Sequence, residues 1–287
     1  MEYVLLNNGV EMPVLGYGVF QIPVQETERC VLDALDIGYR MIDTAQAYGN
    51  EEGVGKAIQK SGISRQEIFL STKIWITNET YNQTLRSIDE SLKRLHTDYI
   101  DLLLLHQPYG DYYEQYEAME AACKLGKARA VGVSNFYQSR FLEFAARCKI
   151  VPAVNQIEMH VFQQQKTLAQ AMRQYGTQSM AWAPLAEGKG NYFQNPVLIK
   201  IGKKYGKTAA QTALRFLTQK KAIVIPKTVR KEKMAENYQI FDFALTDEEM
   251  EEISLLDCGK TLFPSHLDQE TGAWLRSEII NDRRKSS

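Results

Sequence analysis

Eight short apolar runs separated by longer helical patterns, the later seven ending in or beside a polar, charged or aromatic residue, constrain this chain more than any other feature. They are 14–18, 41–43, 69–73, 100–106, 130–134, 153–157, 178–183 and 222–226. Between them, Leu85, Ile88, Leu92 and Leu95 recur at the three-and-four spacing of one helix face, as do Leu168, Ala171, Met172 and Tyr175. Gly126 and Gly176 fall where a helix must reverse into a strand. Alternation of this kind requires parallel strands joined by crossovers. Eight units of similar length, without a linker, predict one α/β domain over 1–287, a (β/α)8 TIM barrel; an open doubly wound sheet is the alternative. Only the interval from Trp182 to Lys227 is long, and it accommodates two extra helical stretches, 195–205 and 208–220.

The ends of the chain add two covers. Two apolar stretches around Asn7-Asn8-Gly9 predict an N-terminal β-hairpin lid. The tail from Lys260 onward, with Leu262, Phe263 and Trp274, is expected to fold over the barrel mouth. Ser64-Arg65-Gln66-Glu67 predicts only a short turn, whereas Thr246-Asp247-Glu248-Glu249 opens a helix.

In such a barrel the working residues sit where strands end, all on one face. Those ends supply Asp43, with Tyr48 one short turn later, then Lys73, His106, Ser134-Asn135, Gln156, Trp182 and Lys227-Thr228. A tyrosine titrates near ~10 in water, and a neighbouring ammonium favours the phenolate. Asp43 beside Lys73 keeps that ammonium charged and oriented, and His106 adds an imidazole that can share the hydrogen bonding. Singly, Asp43 and Lys73 are equally a buried ion pair, His106 a core histidine and Tyr48 a loop aromatic; together at successive strand ends they point to proton transfer.

A formal net charge of −1 and a pI of about 6.5 point away from nucleic acid and anionic membranes and toward a small-molecule partner. No apolar stretch reaches membrane-span length and the first residues lack a signal-peptide pattern, so a cytoplasmic protein is expected. Cys30, Cys123, Cys148 and Cys258 have neither CxxC nor Cys/His ligand spacing; buried helical thiols are expected, and no metal.

The stretches GYRMIDTAQAYGNEEGVG (38–55), STKIW (71–75), IDLLLLHQP (100–108), VGVSNF (131–136), NQIEMH (155–160) and IPKT (225–228) resemble, in order and spacing, the aldo-keto reductase family. The likeness runs through essentially the whole chain and is to bacterial-type members similar to 2,5-diketogluconate reductases and prostaglandin F synthase-like proteins. It implies reversible hydride transfer between NADPH and an aldehyde or ketone, with Tyr48 as general acid supported by Lys73, Asp43 and His106. For the cofactor it implies Val19, Phe20, Asp43, Ser134, Asn135, Gln156, Trp182 and Leu185 around the nicotinamide half. Trp182 stands where the family usually has a stacking tyrosine. Lys227, Thr228, Val229 and Lys233 are implied at the 2′-phosphate, with Glu236 and Asn237 at the adenine. Lys233 replaces a common arginine and loses its bidentate fork, which reduces the preference for NADPH over NADH. Arg230 and Lys231 read as a solvated helix face. The substrate is expected to meet Phe20, Ile22, Tyr48, Trp75, His106 and Tyr109, an aromatic mouth suited to aldehydes, α-dicarbonyls or keto sugars. A monomer is the family default.

Two other classes stay in view. A cofactor-binding sensor on the same fold predicts NADPH binding without turnover. A metal-dependent hydrolase is disfavoured because four histidines make no HxH or HExxH pair; His96 reads as a surface residue and His160 as structural. Gly16-Tyr17-Gly18 lacks the third glycine of a Rossmann fingerprint.

Overall fold

Hydrophobic alternation along the strands generates two layers of core. The computed structural model describes residues 1–265 and 268–286. Within Ile100–Leu105, Leu102 and Leu104 point into the barrel, while Leu103 and Leu105 point outward to the helices. The same parity sends Met41 inward and Ile42 outward, and Phe69 inward and Leu70 outward.

The N-terminal hairpin pairs β1 (Tyr3–Leu5) with β2 (Glu11–Pro13), and Leu6 and Met12 plug the barrel floor beside Met41, Phe69 and Leu102. Eight parallel strands follow: β3 (Tyr17–Gly18), β4 (Met41–Asp43), β5 (Phe69–Ile74), β6 (Ile100–Leu105), β7 (Ala128–Ser134), β8 (Val154–Glu158), β9 (Gln178–Trp182) and β10 (Ile223–Val224). They pair in sequence order, and a parallel bridge between Leu15 and Val224 joins the first to the last. This is the (β/α)8 architecture and not an open sheet.

The intervening helices are α1 (Val24–Ile37), α2 (Glu51–Lys60), α3 (Tyr81–Arg94), α4 (Tyr112–Lys124), α5 (Gln138–Arg147), α6 (Lys166–Gln174), α7 (Pro196–Tyr205), α8 (Ala209–Gln219) and α9 (Lys231–Tyr238). The two helical stretches expected in the long interval are α7 and α8; Thr208 caps α8 in a reciprocal box with Gln211. Thr246 and Glu249 do the same for α10 (Asp247–Ser254), whereas Ser64 precedes only a single 3-10 turn. The tail forms α11 (Gln269–Ser286), whose Trp274, Leu275 and Glu278 face the mouth. Among the cysteines only Cys30 is a fully buried helical thiol. Cys258 is exposed beyond α10, because the chain there has left the helix for the surface strap that carries Phe263.

Candidate active site

Strand parity builds the centre of the site. Asp43 shares the inward parity of Met41, and Lys73 that of Phe69 and Ser71, so both are buried side by side at the upper end of the barrel. Lys73 Nζ donates to Asp43 Oδ2 at 2.7 Å, to the Thr44 carbonyl at 2.8 Å and to Tyr48 Oη at 3.2 Å. Asp43 Oδ1 accepts from Ser71 Oγ at 2.6 Å and Gln156 Nε2 at 2.9 Å. Both oxygens of the carboxylate therefore accept hydrogen bonds, three in all, the condition for keeping a buried ion pair.

Tyr48 ends a 3-10 turn, Gln46–Tyr48, closed by Gly49 in the left-handed region at φ 66°. Its loop is tied on three sides. Gln46 accepts from Trp75 N and donates to Ser91 Oγ, Asn50 donates to the Val19 carbonyl, and Thr44 donates to Asn50 Oδ1. Glu51 accepts from Thr72 and Arg94. Gln46, Asn50 and Glu51 of the 38–55 stretch act beneath the chemistry, and sequence reasoning passed over them although they lie inside the motif that drew attention to Tyr48.

Burial pushes the Tyr48 hydroxyl above its ordinary value, with the Lys73 ammonium pulling the other way. This corrects the expectation of a lowered phenol, since desolvation outweighs the cation. Burial would by itself depress Lys73, yet Asp43 and Tyr48 more than offset it and its ammonium titrates above the ordinary range. The pair therefore presents a protonated phenol over a protonated amine at neutral pH.

A cavity of about 1100 Å³ opens above these groups. Its lining includes Phe20, Asp43, Tyr48, Trp75 and His106 together with Ser134, Asn135, Gln156, Trp182 and Leu185. It runs on to Lys227, Thr228, Lys233, Glu236 and Asn237. The rings of Phe20 and Tyr48 lie 4.9 Å apart, and Trp75 packs 5.1 Å from His106. Val19, Ile22, Tyr109 and Val229 are not among the lining residues. Val19 and Ile22 are packed in the outer core, where the chain turns inward before α1. Tyr109 packs beside Ile76, Leu275 and Ile279 under the tail helix, and Val229 is exposed. Arg230, expected to face solvent, also lines the cavity. Lys231 does face outward, pairing with Asp36 at 2.8 Å.

His160 is buried and bonded to Glu158 at 3.0 Å; His96 sits at the surface end of α3 against Glu52 at 3.2 Å. The mouth is completed by Phe263, 5.2 Å from Trp182, and by Trp274. Phe193, Thr208 and Thr271 also line it, and no periodicity or motif marked them. Lys233 is ion-paired with Glu236, whose other oxygen accepts from Thr208.

An eight-stranded parallel barrel with a buried Asp–Lys pair under a tyrosine, at the strand-end face of a long cavity with cations at its far end, defines an oxidoreductase site of the nicotinamide-dependent barrel class. The Aldo/keto reductase family model matches residues 14–257. The chain is 41% identical over 283 residues to morphine 6-dehydrogenase of Pseudomonas putida, covering 94% of this chain and 96% of that protein. It is 41% identical over 266 residues to glyoxal reductase of Bacillus subtilis (strain 168), covering 92% and 96%. The crystal structure of a Bombyx mori aldo-keto reductase in complex with NADP superimposes with a TM-score of 0.87 at 32% identity, covering 92% of this chain and 95% of that one. The protein belongs to the aldo/keto reductase family, whose members are carbonyl-reducing oxidoreductases that use NADP(H). No helix among the described residues is long and apolar enough to cross a membrane.

Proposed function

We propose that the protein reduces aldehydes and α-oxoaldehydes to alcohols with NADPH, Tyr48 donating the proton. The observation that carries this reading is the hydrogen-bonded line Asp43–Lys73–Tyr48, opening on the cavity with its phenol outermost. Lys73 donates to Tyr48 Oη, so the phenol's own proton is left to be aimed at a bound carbonyl.

The donor set fits NADPH. A flat indole and three amide or hydroxyl side chains, Ser134, Asn135 and Gln156, flank the centre of the cavity, and Lys227, Thr228 and Arg230 line its other end. When bound there, NADPH supplies the hydride that reduces the carbonyl carbon. Tyr48 transfers a proton to the carbonyl oxygen, and the Lys73 ammonium stabilises the phenolate left behind. Asp43 holds that ammonium in place. His106, 5.7 Å from the Tyr48 ring, orients the oxygen, and Phe20, Trp75, Phe263 and Trp274 exclude water around an apolar substrate.

The aromatic mouth and the likeness to glyoxal reductase favour small dicarbonyls and aromatic aldehydes over highly hydroxylated sugars. A cytoplasmic monomer is the accompanying proposal. Following NADPH absorbance with methylglyoxal, phenylglyoxal, benzaldehyde and a keto sugar tests the assignment. Binding of NADPH without consumption on any of them would instead indicate a cofactor-holding sensor.

A further inference from the structure

The departure at Trp182 does more than change one flat ring for another. Its indole Nε1–H donates to Asn135 Oδ1 at 2.9 Å. An indole N–H can only donate, so chemistry fixes which end of the Asn135 amide is oxygen. The amide nitrogen then faces the His106 carbonyl at 3.1 Å, Gln107 Oε1 at 3.2 Å and Ser134 Oγ at 3.2 Å. The His106 carbonyl can only accept, so the two assignments agree. Asn135 is 5% exposed and sits in the left-handed region at φ 64°, with its own N–H bonded to the Gln156 carbonyl at 2.9 Å. Its side chain thus spans the top of the barrel from the end of β9 to the residue after β6.

We infer that Trp182 is a positioning residue: its indole N–H sets the Asn135 amide and, through it, the His106 backbone, so that the aromatic wall and the carbonyl-directing histidine are held as one unit. Phenylalanine or tyrosine at 182 offers a comparable face but no N–H at that point. The edge of Phe263 packs on the indole at 5.2 Å and limits its rotation. The inference rests on the reductase reading for its consequence, namely alignment of the hydride donor with the carbonyl.

A double-mutant cycle in NADPH affinity, read by nicotinamide fluorescence, tests it with Trp182→Phe, Asn135→Gly and the pair; glycine accepts the positive φ at 135. If the hydrogen bond sets the Asn135 amide for the cofactor, breaking it from either side predicts about a tenfold weakening for each single variant, and no further weakening in the double. A roughly hundredfold loss in the double, or a Trp182→Phe variant that binds like wild type, would overturn the coupling. The chain has three tryptophans, so one indole N–H resonance disappears in Trp182→Phe and is assigned by that loss. That resonance must shift in Asn135→Gly; an unmoved signal would overturn the hydrogen bond whatever the affinities. Turnover on carbonyls is a separate readout. A wild type that binds NADPH but reduces nothing would refute the reductase reading while leaving the cycle decisive, and a wild type that does not bind NADPH would overturn both.

Discussion

Lys73 Nζ lies 3.2 Å from Tyr48 Oη while remaining inaccessible to solvent, so its charge meets the cavity through the lining groups it touches, the Tyr48 phenol and the Asp43 carboxylate. The arrangement makes the amine a fixed electrostatic support and the tyrosine the working surface.

Lys73→Met leaves Asp43 buried without its cation. Removing one partner of a buried pair costs about 3–5 kcal/mol, so a corresponding drop in urea-unfolding free energy is expected, together with a loss of at least ~10²-fold in kcat. The double change Lys73→Met with Asp43→Asn restores much of the stability and none of the turnover. Because the folded Lys73 titrates above its unfolded value, its contribution is full below pH ~10.4 and is lost as pH rises through the higher folded value. The stability gap between wild type and Lys73→Met is therefore constant near neutrality and narrows only in strong alkali.

Glu158 anchors the strap that carries Phe263. Burial would raise its carboxyl, but hydrogen bonds from His160, Thr261 and Leu262 hold it below the ordinary value. Its contribution is thus present above pH ~4.3 and is lost as pH falls through the lower folded value. Glu158→Gln turns an amide N–H₂ toward groups that need an acceptor. Protease cleavage within 258–265 should rise severalfold at pH 7 in this variant, whereas wild type reaches that susceptibility only in acid.

At the far end of the cavity Lys233 is already paired with Glu236. Lys227→Met should therefore reduce the NADPH/NADH ratio of kcat/KM by about tenfold or more, and Lys233→Met by less, since part of that charge is spent within the protein. Equal losses in steady-state comparisons would contradict this ranking.

Gly55 explains the last glycine of the 38–55 motif. A Cβ there would lie 2.6 Å from the Arg94 carbonyl and 2.7 Å from the Leu95 carbonyl carbon, both backbone atoms that cannot swing aside. Gly55→Ala should cost about 1–3 kcal/mol in chemical denaturation by pushing α2 off the end of α3.

Residues fixed by strand period were legible because a period-two pattern dictates which way a side chain points. Once Met41 and Phe69 are core, Asp43 and Lys73 must share their face. Loop residues carry no such constraint. Ile22 follows the first strand just as Phe20 does, yet the chain turns it into the outer core. Tyr109 follows the fourth strand but is captured by the apolar side of α11, a contact more than 160 residues away in sequence that local pattern cannot reveal. The same holds for Arg230, whose place at the cavity depends on how the end of β10 meets α9. The phenol's upward shift was missed for a different reason: sequence names the cation beside Tyr48 but not the depth at which the two are desolvated.

The most direct test of the account is NADPH oxidation with methylglyoxal, comparing wild type with Tyr48→Phe and measuring NADPH affinity in both. The account predicts turnover in wild type, a loss of at least ~10²-fold in the variant, and affinities within a few-fold of each other. A Tyr48→Phe protein that retained most of the wild-type reduction would contradict it, because the proton would then be coming from another group.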